Sequence, residues 1–326
     1  MTTVYVGGEK HVLVLSSKAD AFVVQQAISV GPAPSFLCFA PDRQRAYVAV
    51  EGADALASFR VDDDGALTLL ATTPCPGGPA YVSVDRSQNW VLAASYGSGQ
   101  LHVFGMDDQG VLTPARQSLK TGEWSHAALV DPENRRIFVP SKGTDRIAVL
   151  AFDASTGSVT PHSTIDTPAG SGPRHVAFSS NGRWLYVVDE NDCTLLVLER
   201  GAAGHALIQT ASTLPRDFAP GDSGADIHLS ADERFLYVSN RGHDNLAVFS
   251  CDAGAVRLVG TTPSGGRVPR NFCFLGNERL LVANQESHSL ALFARHPDDG
   301  SLTLLGTHQL EERIFWVGPV NAPGAP

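Results

Sequence analysis

Six copies of an apolar strand, a polar turn and a second strand recur at intervals of about 44 to 51 residues along a chain of 326 residues. A third strand of alternating apolar residues follows each copy, and the two chain ends carry complementary fractions of one further unit. These three observations predict an all-β fold, a seven-bladed β-propeller with four antiparallel strands per blade.

The first segments, VYVGGEKHVLVL and FVVQQAISV, read as the last three strands of a unit that lacks its first. IFWVGPV near the C-terminus reads as a first strand without followers, so N- and C-terminal strands join in one blade and close the ring. Closure removes the open sheet edges of a linear array, and the polar capping repeats of a solenoid are missing. The intervening copies start at Pro34, Pro79, Ser125, Pro173, Ala225 and Pro269. GPRHVAFSSNGRWLYVVDE shows the unit well: His175 to Phe178 is apolar, Ser179 to Arg183 supplies turn chemistry, and Trp184 to Val188 is aromatic and β-branched. Third strands such as ALASFRV and NLAVFSC and fourth strands such as GALTLLATT complete the units. Apolar residues do not recur at the three-and-four spacing of a helix. Residues 1–320 are expected to form a single domain, with Asn321 to Pro326 a disordered tail. The longest insertion, a Pro/Gly/Asp-rich excursion from Leu214 to Gly224, is placed to wall one side of a site.

A formal charge of −10 argues against nucleic-acid or membrane partners, which draw on a spread of Lys and Arg. An anionic substrate then needs a few basic residues gathered locally. Five cysteines without a C-x-x-C pair point to reduced thiols in a cytoplasmic protein. The N-terminus lacks the pattern of a signal peptide, and no stretch reaches the roughly 18 apolar residues of a membrane span. The expected form is a monomer or weak homodimer.

In a propeller the first strand of each blade lines the channel, so residues at equivalent phases form a ring at one mouth. Counting back from the end of each first strand selects Ser35, Ala80, His126, Arg174, Ala225 and Arg270, with His175, Asp226 and Asn271 one position on. The hairpins after the second strands return to the same mouth with Glu51, Tyr96, Ser141-Lys142, Glu190, Arg241 and Asn284-Gln285. A single Arg or His in such a place is commonly an interblade ion pair or a satisfied core group. His126, Arg174 and Arg270 as an in-phase set point instead to a site. His175 and His228, flanked by Ile and Val, read as structural on their own, although the ring position also makes His175 a candidate substrate contact. His102, His243 and His288 read as loop or surface residues. No G-x-S-x-G elbow or P-loop is present, and Asp226-Ile227-His228 lacks the second pair of ligands that a metal site needs. No metal or organic cofactor is expected.

GSGPRHVAF, GADIHLS, LYVSNRGHDNLAVF, VPRNFCF, LLVANQES and SHAALVDPENRRIFVPSKGTDRI together resemble the seven-bladed propeller lactonases, whose bacterial members include 6-phosphogluconolactonase. The resemblance covers most of the chain. It implies hydrolysis of 6-phospho-D-glucono-1,5-lactone, a phosphorylated sugar lactone of the pentose phosphate pathway. His126, Arg174 and Glu190 are spaced like the proposed catalytic residues of the fungal carboxymuconate lactonizing branch. Two departures are Asp226 where many members have Glu, and Trp124-Ser125-His126 where many have His-x-His.

On this reading His126 is the general base, Arg174 and Arg270 divide oxyanion stabilisation and phosphate binding, and Glu190 orients them or serves as the alternative base. Asp226, Arg241, Tyr96, Asn284, Glu51 and His175 are the expected substrate contacts. A muconate-type cycloisomerase and a non-catalytic propeller that binds a protein partner remain the alternatives.

Overall fold

The computed structural model describes residues 2–18, 20–202, 204–215 and 223–319. They form seven four-stranded antiparallel sheets, each running in chain order from an innermost to an outermost strand. The innermost strands are Pro34–Phe39, Pro79–Val84, Leu129–Val130, Pro173–Phe178, Ser223–Leu229, Pro269–Phe274 and Ile314–Pro319, and they begin blades 1 to 7 in that order. Neighbouring innermost strands pack side by side around the axis. Blade 7 joins Ile314–Pro319 to Thr2–Gly8, with Val6 opposite Val317, and thereby closes the ring as the chain ends predict. The NAPGAP tail and residues 216–222 of the long insertion lie outside the described residues.

Burial follows strand position. Pro79–Val84 and Val91–Ser95 are buried throughout, whereas the outermost strand Leu302–Gln309 is mostly exposed. Adjacent sheets meet through side chains such as Tyr5, Val48, Phe59 and Trp316. Burying each such aromatic or aliphatic group contributes about 1.5–3 kcal/mol. His102 departs from expectation: it lies on Gln100–Phe104, is buried, and its Nδ1 pairs with Ser118 Oγ at 2.8 Å. This third strand is covered on both faces, with Leu101 and Val103 on the opposite face buried as well, so its His is enclosed whichever way it points.

Three local features shape one mouth of the channel. First, the pairing of the innermost strands slips by one residue at Pro34/Phe36, Pro79/Tyr81, Pro173/His175, Pro269/Asn271 and between Ile314 and Trp316. Ser35, Ala80, Arg174, Arg270 and Phe315 are the extra residues, and a bulge re-aims its side chain out of the ladder. Blade 3 reaches the same result with the Ser125–Ser141 bridge followed by Leu129–Val130, which leaves His126 between them. Second, Ala33, Gly78, Trp124, Gly172 and Val268, each two residues before a mouth residue, have left-handed φ values of 55°, 68°, 56°, 69° and 61°. Third, Asp54, Asp145 and Asp244 end the hairpins after the second strands in the same left-handed conformation, at φ 50°, 48° and 57°. Their carboxylates accept from Gly77 and Gly78, from Gly170 and Gly172, and from Val268, so each hairpin fixes the approach to the next blade's mouth residue. Asp tolerates this conformation and caps nearby amides, which is why the E-G-A-D, K-G-T-D and R-G-H-D runs suit these positions.

The helical elements among the described residues are three 3-10 turns, Glu51–Ala53, Lys142–Thr144 and Gln285–Ser287. Among the described residues no helix is long and apolar enough to cross a membrane.

Candidate active site

Ser35, Ala80, His126, Arg174, Arg270 and Phe315 line one mouth of the channel, with Phe36, His175 and Asn271 beneath them. Five of the six in-phase residues selected from sequence thus meet, because their strands share the same one-residue offset; Ala225 does not line the mouth and instead accepts from Arg174 through its carbonyl, while Phe315 supplies the blade 7 position.

Glu190 organises the charge there. It follows the second strand Trp184–Asp189, its N–H donates to Gly172 O and its carbonyl accepts from Gly224. Its carboxylate receives Lys142 Nζ at 2.5 Å on Oε1, and Arg174 Nε at 3.1 Å and Arg241 Nη2 at 3.2 Å on Oε2. Three blades converge on one acid. Burial alone raises its pKa, but Arg174, Arg241 and Lys142 together bring it down to about 2. Lys142, seen in the sequence only as one hairpin residue among several, belongs to this cluster; what marks it is its place in the hairpin preceding Glu190's blade.

Arg174 is only 2 % exposed. Its Nη1 donates to Ala225 O and rests over the His175 ring, 3.4 Å from Nδ1 and 3.3 Å from Nε2. Its Nε forms the ion pair with Glu190, and Nη2 has no protein acceptor among the described residues. Burial, then Arg241 and Arg270, lower its pKa to about 9, which keeps it cationic at neutral pH.

His126 donates its backbone N–H to Pro140 O, and its enclosed Nδ1 has no hydrogen-bond partner. The ring meets His175 at 5.0 Å and Tyr96 at 5.7 Å, both edge to face. Burial, followed by Arg174, His175, Arg270 and Arg241, holds the imidazole well below its usual pKa, so it is neutral at pH 7.

His175 and Asp226 form the layer below. Asp226 accepts from His175 Nδ1 at 2.8 Å, His228 Nε2 at 2.9 Å, Asn271 Nδ2 at 2.5 Å and Phe272 N at 3.3 Å. Burial opposes its ionisation, but the His228 and His175 imidazoles hold it far below the usual carboxylate range. Burial and Arg174 push His175 down to about 4. Asp226 is therefore saturated by protein donors and fixes His175 under Arg174, which is a different role from the expected sugar contact. Its bond to His228 also takes up the Asp-Ile-His pair weighed as a metal motif. Among the described residues no three His, Cys, Asp or Glu side chains group as metal ligands.

Arg270 has no hydrogen-bonded or ion-paired partner among the described residues; its guanidinium sits 5.7 Å over the Phe315 ring. Burial, then Arg241, lower its pKa, while Glu51, Glu190 and Tyr96 oppose that shift. Tyr96 lies nearly parallel to Trp124, with ring centres 6.0 Å apart. Asn284 does not join the group: it is fully buried and donates to Ser264 O at 3.0 Å. It ends the strand Arg279–Asn284, as Asn240 and Asp189 stand near the ends of the corresponding strands in the two preceding blades.

The channel's other end holds a larger cavity of about 510 Å³, lined by aromatic side chains including Phe36, Tyr81, Phe178, Phe272, Phe274 and Trp316, with Arg86 as its one guanidinium. The mouth encloses only about 10 Å³. Room favours the first and chemistry the second: Lys142, Arg174, Arg241 and Arg270 stand at the mouth against Glu190 and Glu51, which leaves a local positive charge on an acidic protein.

Residues 2–318 match the family described as Lactonase, 7-bladed beta-propeller. The chain is 31% identical over 314 residues to the 6-phosphogluconolactonase of Serratia proteamaculans, covering 94% of each chain. It is 34% identical over 272 residues to that of Bacillus subtilis, covering 78% of this chain and 77% of the relative. The solved structure of the periplasmic gluconolactonase PpgL from Pseudomonas aeruginosa superposes with a TM-score of 0.91 at 26% identity over 99% of both chains. The bulged mouth, the ring closure and these matches agree, and the chain belongs to the seven-bladed β-propeller lactonase family.

Proposed function

We propose that the chain hydrolyses 6-phospho-D-glucono-1,5-lactone to 6-phosphogluconate. The observation that carries this reading is the Glu190-centred cluster of Lys142, Arg174 and Arg241 beside His126 and the unpaired Arg270. The relatives named 6-phosphogluconolactonase supply the substrate class. The four cations outnumber Glu190 and Glu51 at the mouth, which gives it the positive charge that a phosphate anion needs.

The neutral His126 takes a proton from water as the water oxygen attacks the lactone carbonyl carbon. The carbonyl oxygen becomes an oxyanion facing Arg174, whose free Nη2 donates to it. When the tetrahedral centre collapses, the bond to the ring oxygen breaks and the His126 imidazolium returns the proton to that oxygen, forming the C5 hydroxyl. The new carboxylic acid loses its proton to solvent. Arg270 and Arg241 hold the phosphate, Glu190 fixes Arg174 and Arg241, and Tyr96 and Glu51 border the sugar. His175 supports Arg174 from below with Asp226 behind it.

The relatives' lactonase name favours this reaction over the cycloisomerase reading, and a cationic mouth favours a small anion over a protein partner. A cytoplasmic location is part of the proposal; its support is that the five cysteines include no C-x-x-C pair and four of them are buried. The test is turnover of the phosphorylated lactone by purified wild-type protein and by Arg174→Met: strong catalysis lost in the variant supports the reading, and no acceleration over spontaneous opening removes it.

A further inference from the structure

Trp124 is 48 % exposed. The other exposed large apolar side chains among the described residues, Val23, Val24, Leu69, Leu207, Ile208, Val259, Leu304 and Leu305, all lie on outermost strands. Trp124 alone stands at the mouth. Its backbone shares the left-handed conformation of Ala33, Gly78, Gly172 and Val268, so the rim is built from small or aliphatic side chains except where the indole overhangs it. A bulky residue in that conformation is a conformational cost, and nearly half of the side chain's surface remains open to solvent instead of buried in a core. What the ring does meet is functional: Tyr96 lies parallel to it, Tyr96 in turn meets His126, and Lys142 Nζ is 5.9 Å from the ring while paired with Glu190.

We infer that Trp124 is a specificity-determining platform on which the substrate's six-membered ring lies. A glucose-configured ring carries its hydroxyls at the edge and presents C–H bonds on its faces, which suit the negative face of an indole. Trp124 and Tyr96 belong to blades 3 and 2, whereas Arg241 and Arg270 belong to blades 5 and 6, on the far side of His126 and Arg174. A ring over Trp124 with its phosphate toward those arginines therefore spans the reacting groups. An open-chain acid has no such face, so the platform favours the closed lactone over its product. This inference rests on the mouth being the lactone site.

The test has two arms. In turnover, Trp124→Ala raises KM for the phosphorylated lactone by roughly fivefold to tenfold with a smaller change in kcat; Trp124→Phe restores most of the affinity and Trp124→Leu does not. In binding, the inert cyclic analogue 1,5-anhydroglucitol 6-phosphate changes the tryptophan fluorescence of the wild-type protein, and Trp124→Phe, which keeps the other three of the four tryptophans, abolishes the change. A KM within twofold of wild type in Trp124→Ala, equal rescue by Leu and Phe, or a fluorescence change retained in Trp124→Phe overturns the inference. A wild-type protein that binds the analogue on Trp124 yet opens no lactone overturns the hydrolase reading and leaves the platform standing.

Discussion

Glu190 Oε2 lies 3.1 Å from Nε of Arg174, and the same carboxylate also holds Arg241 and Lys142. One acid thus neutralises part of a cationic mouth and leaves Arg174 Nη2 and the whole Arg270 guanidinium for the substrate.

Replacing Glu190 by Gln releases three cations into a mostly buried place and is expected to cost about 3–5 kcal/mol of stability, the usual penalty for breaking a buried pair. Urea unfolding measures it. The sign with pH follows from a depressed carboxylate: the contribution is full above the unfolded value of about 4.3 and disappears as pH falls toward the folded value of about 2. Wild type and Glu190→Gln should therefore converge in stability in strong acid.

Arg174 and Arg270 should separate in kinetics. Arg174→Met is expected to lower kcat on the order of 100-fold, as loss of an oxyanion donor does, with KM changed less. Arg270→Met should chiefly raise KM for the phosphorylated lactone, by about 10-fold to 100-fold, as loss of a hydrogen bond to a charged group does. Its thermal midpoint should move little, because no carboxylate is left unpaired. Steady-state kinetics with both variants checks the division of roles.

His126→Ala is expected to reduce kcat by about 10²–10⁴, the range for a general base. Burial and the surrounding arginines lower the His126 pKa in the free protein, so the acid limb of the wild-type kcat/KM profile should fall below the ordinary imidazole value of about 6.5. A limb at or above that value would assign the proton transfer elsewhere.

Asp189 carries the opposite sign from Glu190. It is fully buried, Oδ2 accepts from Thr194 Oγ1 at 3.0 Å, and Oδ1 has no partner. Burial, then Asp192, raise its pKa to about 8. The folded chain keeps a proton that the unfolded chain releases, so stability is lost as pH rises from about 4 to about 8. Asp189→Asn, which reproduces the amide found in blades 5 and 6, is expected to stabilise by about 1–3 kcal/mol at pH 8 and by nothing at pH 4. Denaturation at the two pH values measures the difference.

The blades were legible because strand alternation and turn chemistry are local, and because an incomplete unit at each end leaves one way to close the ring. The phasing of His126, Arg174 and Arg270 was legible for a related reason: the blades share one bulge, so a count from the strand end works without knowing that the bulge exists. Pairing choices were not legible. Whether Asp226 faces sugar or protein donors depends on His175 and Asn271 reaching it from the two neighbouring blades, beside His228 on its own strand. Lys142 reaches Glu190 only because blades 3 and 4 stand at a particular separation. Asn284 shares a hairpin with mouth residues but ends a strand buried on both faces, and His102 likewise sits in a third strand that neighbouring sheets cover on both sides.

The most direct measurement compares kcat/KM of the wild-type protein for 6-phospho-D-glucono-1,5-lactone and for D-glucono-1,5-lactone under identical buffer, with spontaneous opening subtracted. An unpaired Arg270 beside Arg241 predicts a preference for the phosphorylated lactone of about 10-fold to 100-fold, the worth of one hydrogen bond to a charged group. Equal values, or a preference for the uncharged sugar, would contradict the assignment of this mouth to a phosphate dianion.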